Sequence, residues 1–127
     1  MSLSDNKIVV LFKQLDQLGE LSSDDLLRHF TGENIEALRL ISTLVKEGMD
    51  IERVLSEKRF VQVVKELCET RRMWSGRLDE TLTNASEEFE KGNRVQALWI
   101  LNGFIRFCPS PYYREIAQGV MGEYEKS

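Results

Sequence analysis

Residues 85–113 constrain the fold more than any other stretch, because they carry strong signals for where helices end and begin. A helical pattern that ends near Lys91 is followed by Gly92, and glycine just past a helix end adopts the left-handed conformation without a steric penalty. Asn93 is a favourable N-cap, and Gln96, three residues later, is placed to complete a capping box. The pattern predicts a helix end, a tight turn and a second helix.

The second helix is predicted to span residues 94–107 and to be stopped by Pro109. Proline has no backbone N–H to donate, and its ring disfavours helical geometry in the residue before it. Ser110 is the next favourable N-cap, and Pro111 fits the first position of a helix, where the missing N–H has no cost. A last helix is therefore expected from Pro111 to about Tyr124.

The predicted helix over residues 94–107 is apolar on most of its faces, so we expect it to be the central and most buried helix. Gly103 lies inside it and costs about 1 kcal/mol relative to alanine, which predicts that another helix approaches closely there. The apolar residues are Val95, Ala97, Leu98, Trp99, Ile100, Leu101, Phe104, Ile105 and Phe107.

The last helix carries apolar residues at helical spacing on one side. Tyr112 and Tyr113 point about 100° apart on such a helix, so at most one of them is expected in the core. The spaced residues are Tyr113, Ile116, Ala117, Val120, Met121 and Tyr124.

The start of the chain is predicted to form two helices. The first is capped by Ser4 or Asp5 and closed by Gly19, and its apolar residues recur at helical spacing. The second is short and begins at Ser22 or Ser23, each of which is a favourable N-cap.

Further helices follow in the middle of the chain. Thr31 is expected to cap a helix that ends before Gly48. Asp50 opens another, which either runs on or breaks near Ser56. A long helix is expected around residues 74–89, where leucine and aromatic residues keep helical spacing.

Two segments also fit a strand locally. Residues 8–12 form an apolar run, but helical spacing continues beyond them and no partner strand is evident, so helix is favoured. Residues 56–64 contain several valines and are left open between helix and strand. The fold class predicted is all-α: a single-domain bundle of about six or seven helices over residues 1–127, with residues 1–6 disordered or derived from cloning.

Charge and hydropathy restrict the function classes. The net charge is −4, and residues 1–64 carry 8 basic and 11 acidic side chains against 9 and 10 in residues 65–127. No basic half or tail is present, which argues against a nucleic-acid partner. No apolar run is long enough to span a membrane. Cys68 and Cys108 lie far apart in apolar surroundings and are interpreted as reduced thiols of a cytoplasmic protein.

No pattern typical of catalysis is found. His29 is the one histidine and is interpreted as a surface or half-buried helix residue. The cysteines lack the spacing of metal ligands, and the glycines do not form a phosphate-binding loop. Paired acidic residues fall on polar stripes or near helix ends, where solvation explains them. We therefore expect no enzyme activity, no catalytic residue, no metal and no cofactor.

A helix-turn-helix DNA-binding regulator is an alternative for residues 22–48, which read as a short helix, a turn and a longer helix. Recognition helices present basic and amide side chains to bases and phosphates. Here Arg39 and Lys46 are outnumbered by glutamates, and Asn34 is the only amide. We favour ordinary core packing as the explanation of this segment.

Candidate partner-binding residues lie in the second half of the chain. An aromatic residue among arginines is a composition enriched at interfaces, although Trp74 also fits a core position. Acidic residues can instead attract a basic partner. The candidates are Arg71, Arg72, Trp74, Arg77, Tyr112, Arg114, Glu87, Glu88 and Glu90.

Residues 78–111 resemble a single tetratricopeptide (TPR) unit, on the match of Ala85, Gly92, Ala97 and Pro109 and of an apolar residue at Leu101. Shifting by the repeat period gives a poor match, and a solenoid needs about three copies to bury its core. The resemblance implies one TPR-like helical hairpin near the carboxyl end of a bundle.

The segment from Gly92 to Tyr124 resembles small helical immunity proteins encoded beside bacterial secreted toxins. The matching features are the helix GNRVQALWIL, the corner CPSP that ends at Pro111, and the pair Tyr113-Arg114. The resemblance implies a cytoplasmic, non-enzymatic inhibitor that binds and neutralises a cognate toxin, often a nuclease. It implies no particular contact residues. A homodimeric helical adaptor is the other protein-binding alternative.

Overall fold

The computed structural model describes residues 4–46, 51 and 55–127, and six helices lie within those residues. They are α1 (Asp5–Gly19), α2 (Ser23–Leu27), α3 (Gly32–Val45), α4 (Glu57–Glu90), α5 (Arg94–Phe107) and α6 (Pro111–Lys126). Since the described residues contain helices and no strand, the all-α fold class is confirmed.

The chain divides after Thr70, within α4, into two compact units. Residues 1–70 form the first unit and residues 71–127 the second, so that α4 contributes its first part to one and its second part to the other. The assignment of residues 1–127 to a single domain stays a prediction.

In the first unit, α1 packs against α3. The buried stripe of α1 has helical spacing, which is why an amphipathic helix forms here. Phe30, after α2, contacts Phe60 of α4 with 5.4 Å between ring centroids. The buried apolar residues of α1 and α3 are Ile8, Leu11, Phe12, Leu15, Leu18, Ala37, Leu38, Ile41 and Val45.

The predicted N-caps of the first three helices are confirmed. The side chains of Ser4, Ser22 and Thr31 each accept a hydrogen bond from the backbone N–H three residues later. Each bond satisfies one of the amide groups that a helix start leaves without an intrahelical partner. The disorder expected over residues 1–6 does not extend to Asp5 and Asn6, which form the first turn of α1, and residues 1–3 lie outside the described residues.

Of the two alternatives for residues 56–64, the structure has helix from Glu57 onward. Ser56 is the cap, and its hydroxyl accepts a hydrogen bond from the N–H of Arg59 at 3.1 Å. Ile51 and Leu55 are buried but not helical, whereas the predicted helix start at Asp50 lies outside the described residues. α4 then continues without interruption for 34 residues through the predicted long helix.

In the second unit, the turn after α4 is a Schellman motif. Gly92 has φ of +86° and donates to the carbonyl of Phe89, and the N–H of Asn93 donates to the carbonyl of Glu88. Both bonds satisfy carbonyl groups that the helix end would leave unpaired. After α5, Ser110 caps α6 by accepting from the N–H of Tyr113, and Pro111 occupies the first turn as predicted.

α4, α5 and α6 share two apolar clusters. The first contains Leu78, Phe104, Cys108, Tyr113 and Ala117. The second contains Ala85, Ala97 and Leu101, with Phe89 and Tyr124 stacked against each other at 4.2 Å between ring centroids. Each cluster takes residues from all three helices, so the core of this unit is the seam along which they meet.

One prediction about α5 is confirmed in part and another is wrong. Asn93 is the N-cap residue of α5, but its side chain makes no cap hydrogen bond; its amide nitrogen donates to the carboxylate of Glu88 at 2.8 Å. α5 is also not the most buried helix: Val95 is 82% exposed, Trp99 70% and Phe107 78%. Only one stripe of α5 meets α4 and α6, so the apolar residues outside that stripe remain at the surface.

Replacing Leu101 by aspartate is expected to unfold the second unit, because Leu101 is fully buried and an aspartate there would be an uncompensated charge in the core. The expected loss exceeds about 4 kcal/mol. The matched control is Val95→Asp on the exposed side of the same helix, for which we expect a change within about 0.5 kcal/mol. Thermal melts followed by circular dichroism compare the two, and an unchanged melt for Leu101→Asp would show that the core assignment is wrong.

Replacing Gly19 by alanine is expected to destabilise the first unit, because the added Cβ would lie 2.6 Å from the Sγ atom of Cys68. Overpacking of this kind costs about 1–3 kcal/mol. A double-mutant cycle with Cys68→Ala, measured by chemical denaturation, should remove most of the cost. Equal effects of Gly19→Ala with and without the cysteine would contradict the contact.

Candidate functional site

α5 has two opposite apolar stripes. Ala97, Leu101 and Phe104 lie on the side that meets α4 and α6. Val95, Trp99, Gly103 and Phe107 follow one another at intervals of four residues, which places them along one ridge of the helix. We call this ridge the α5 outer face. Its three side chains are large, apolar and mostly exposed, and exposed apolar groups that adjoin one another are typical of interaction surfaces.

A groove between α4 and α5 adjoins the α5 outer face. It has a volume of about 570 Å³ and lies wholly within the second unit. Its lining mixes aromatic side chains with a few polar groups, a combination common in binding sites. The lining residues are Trp74, Arg77, Glu80, Thr81, Asn84, Trp99, Ile100, Gly103, Phe104 and Phe107.

Trp74 is held in place on both sides of its ring system. Its ring lies edge-on to the ring of Phe104 at 6.1 Å between centroids. The guanidinium of Arg77 lies 5.1 Å from the centroid of the indole, within the range of a cation–π contact. Trp74 is half-buried, so it serves the core and the groove wall at once.

No heavy atom of another described residue lies within 4 Å of the position that a Cβ of Gly103 would occupy. The close approach of another helix predicted from this glycine is therefore not made by the described part of the chain. Gly103 instead leaves a gap in the α5 outer face between Trp99 and Phe107.

The arginines predicted to act together do not share one surface. Arg71 is half-buried and faces the phenol of Tyr113, whereas Arg77 covers Trp74 and Arg72 is exposed. Three arginines within seven residues of α4 therefore have three different environments.

The candidates at the start of α6 are partly buried. Tyr113 belongs to the core and Tyr112 is half-buried against it, with ring centroids 5.2 Å apart, in agreement with the expectation that at most one tyrosine is core. Arg114 is half-buried, and its positive charge acts on the thiol of Cys108. These residues support the corner after α5 more than they present a surface.

Of the acidic candidates, Glu88 contributes to the turn and the other two are exposed. The Glu88 carboxylate accepts from the Asn93 amide and lies 3.8 Å from the Nζ atom of Lys91. Glu87 and Glu90 face solvent near the end of α4, where a basic partner has access to them.

Burial perturbs two ionisable groups of this unit. Burial raises the pKa of Tyr113, because the phenolate would be poorly solvated, while Arg71 and Ser75 oppose the shift. Burial likewise raises the pKa of Cys108, opposed by the backbone near Ser110 and by Arg114. Cys68 and Cys108 are both buried, and neither forms a disulfide.

In the segment proposed as a helix-turn-helix, two of the three predicted polar residues make contacts within the chain. Asn34 accepts from the amide of Gln14 at 2.6 Å and donates to the carbonyl of His29 at 2.7 Å. Arg39 lies 3.7 Å from a carboxylate oxygen of Glu36. Lys46 is exposed beyond the end of α3, and residues 47–48 lie outside the described part. None of these contacts favours DNA binding.

Over residues 4–46, 51 and 55–127, no group of three or more histidine, cysteine or acidic side chains is arranged to hold a metal ion. Among the helices described, none combines the length and the apolar character needed to cross a lipid bilayer.

No protein-family model, curated protein or solved structure matches this chain. The resemblances to a TPR unit and to immunity proteins therefore stay predictions.

The sequence interpretation missed the α5 outer face because it assigned every apolar residue of α5 to the core. The signal was present in the spacing. Val95, Trp99 and Phe107 differ by multiples of four and lie on the side of the helix opposite Leu101. A helix of this length that contacts two neighbours on one side cannot bury both stripes.

Above about pH 10, the ordinary pKa of tyrosine, burial of Tyr113 is expected to make stability fall with rising pH. The raised folded-state pKa means that the folded chain keeps a proton that the unfolded chain releases. This stabilisation is full below the unfolded pKa and is lost as pH rises through the folded pKa. Tyr113→Phe should flatten the fall, measured by urea denaturation across this range, and Tyr112→Phe is the control. Parallel profiles for wild type and Tyr113→Phe would contradict the burial effect.

Proposed function

We propose that this chain is a non-enzymatic protein-binding module that binds through the α5 outer face and the adjoining groove. The observation that carries the proposal is the exposure of Val95, Trp99 and Phe107 on one ridge of α5. Burying a side chain of this size in an interface contributes about 1.5–3 kcal/mol. Tryptophan is among the residues that most often anchor protein interfaces.

The groove supports the proposal by giving this surface a shape. Trp74 and Phe104 form an apolar floor, while Arg77 and Glu80 supply polar groups at its edge. An apolar centre with a polar rim is the usual organisation of a protein interface. The contact between Arg77 and Trp74 orders one wall before binding, which lowers the entropy lost when a partner is bound.

The specific form of this function that we propose is neutralisation of a cognate bacterial toxin. The resemblance of residues 92–124 to immunity proteins supports it, and so does the exposure of Glu87 and Glu90, which suits a basic partner. In this proposal the chain acts in the cytoplasm, where its two buried thiols stay reduced.

Replacing Trp99 and Phe107 together by alanine is expected to remove partner binding while leaving the melting temperature nearly unchanged, because both side chains are mostly exposed. Affinity capture from cells of the native host compares this variant with wild type and with Gln118→Ala, an exposed control on α6. The partner should be captured by wild type and by the control only. Equal capture by all three would overturn the proposed surface.

The toxin proposal is tested on the captured partner itself. When that partner is expressed alone, it should arrest growth, and co-expression of the wild-type chain should restore growth. A captured partner that is harmless alone would overturn toxin neutralisation and leave the protein-binding surface in place.

A further inference from the structure

We infer that the α5 outer face binds a second copy of this chain, in a symmetric dimer whose two α5 helices cross antiparallel at Gly103. This inference rests on the proposed binding surface and names its occupant. The partner proposed above binds at the same face, so that partner and a second copy of the chain compete for it.

The spacing of the outer face is self-complementary. Trp99 and Phe107 lie four positions before and after Gly103. In a two-fold symmetric interface, the same patch contacts itself with the order of its residues reversed. An antiparallel pair of α5 helices centred on Gly103 therefore places Trp99 of each copy against Phe107 of the other, and aromatic pairs of this kind are favourable.

Gly103 supplies the close approach that such a crossing needs. The missing Cβ is not filled by the described part of the chain, so the cost of a glycine inside α5 has no explanation within it. Gly76, Gly119 and Gly122 also lack a neighbour at this position. Gly103 differs from them because exposed aromatic residues stand on both sides of it along the ridge.

The ridge also runs in a direction that is common in helix–helix packing. Residues spaced by four form the ridges that interlock when two helices cross at about 50°. A small residue at the crossing point lets the helix axes approach, and the larger residues on either side then close around the partner helix.

The net charge of the second unit does not oppose a second copy at this face. Residues 71–127 carry 8 basic and 8 acidic side chains, so two copies of this unit do not repel each other through net charge. The whole net charge of −4 lies in residues 1–70. Arg106, beside the outer face, already lies 5.9 Å from the centroid of the Phe107 ring.

The exposed apolar area is adequate for a modest dimer. An aromatic side chain buries about 150–250 Å², so Trp99 and Phe107 together offer roughly 300–500 Å² per copy, and Val95 adds to this area. A standard interface needs about 800 Å² per partner, and the adjoining groove wall supplies further area. We therefore expect a reversible dimer and not an obligate one.

The mass is measured first, by sedimentation equilibrium of the full chain from micromolar to millimolar concentration. Wild type should pass reversibly from monomer to dimer. Gly103→Ala should raise the melting temperature and weaken the dimer at least about tenfold, because the added methyl groups separate the helices at the crossing. A wild-type chain that stays monomeric throughout would overturn the dimer, as would a Gly103→Ala variant that dimerises as well as wild type.

Cross-linking tests the register. A mixture of Trp99→Cys and Phe107→Cys should form a disulfide that links the two variants to each other. The native cysteines are buried, so the wild-type chain is the control and should not cross-link. Efficient self-linking of Trp99→Cys, without the mixed product, would indicate parallel helices and overturn the antiparallel register.

The two proposals fail in different ways. If wild type is monomeric but Trp99→Ala/Phe107→Ala still abolishes partner capture, the surface is correct and its occupant is another protein. If the double variant changes neither the mass nor the captured partner, the α5 outer face is not a binding surface and both proposals are wrong.

Discussion

The second unit depends on the packing of one stripe of α5 against α4 and α6. Ala97 and Leu101 are fully buried there, and Phe104 joins the same seam. The turn at Gly92 returns the chain along α4, and the corner before Pro111 returns it again as α6. Because both neighbours contact the same side of α5, its other apolar stripe has no partner among the described residues.

This arrangement links the fold to the proposed function. An apolar helix gains stability only from the side that packs against its neighbours. Trp99 and Phe107 are mostly exposed, so they contribute little to the stability of the folded monomer. Their value lies in what they bury when a partner is bound. The arginine pairing of Trp74 and the gap at Gly103 shape the same region, so the groove, the ridge and the gap are parts of one surface.

The sequence predicted the helix boundaries well and the burial of α5 poorly, for a physical reason. Caps and turns are local: Ser4, Thr31 and Ser110 each bond to the backbone three residues later, and a short window of sequence contains the whole interaction. Burial depends on which neighbours arrive and on which side. The same difference applies to Asn93, whose side-chain amide donates to the carboxylate of Glu88 and makes no cap hydrogen bond. The candidate arginines were separated for the same reason, since Arg71 lies against Tyr113.

The measurement that tests the central claim most directly is the fluorescence of Trp99 in a Trp74→Phe variant, in which Trp99 is the only tryptophan. At low protein concentration the emission should be that of a solvent-exposed indole and should be readily quenched by acrylamide. As concentration rises, emission should shift to shorter wavelength and quenching should weaken, because a second copy covers the ring. Emission of a buried, quencher-resistant indole at every concentration would contradict the account, since it would mean that Trp99 is covered by its own chain.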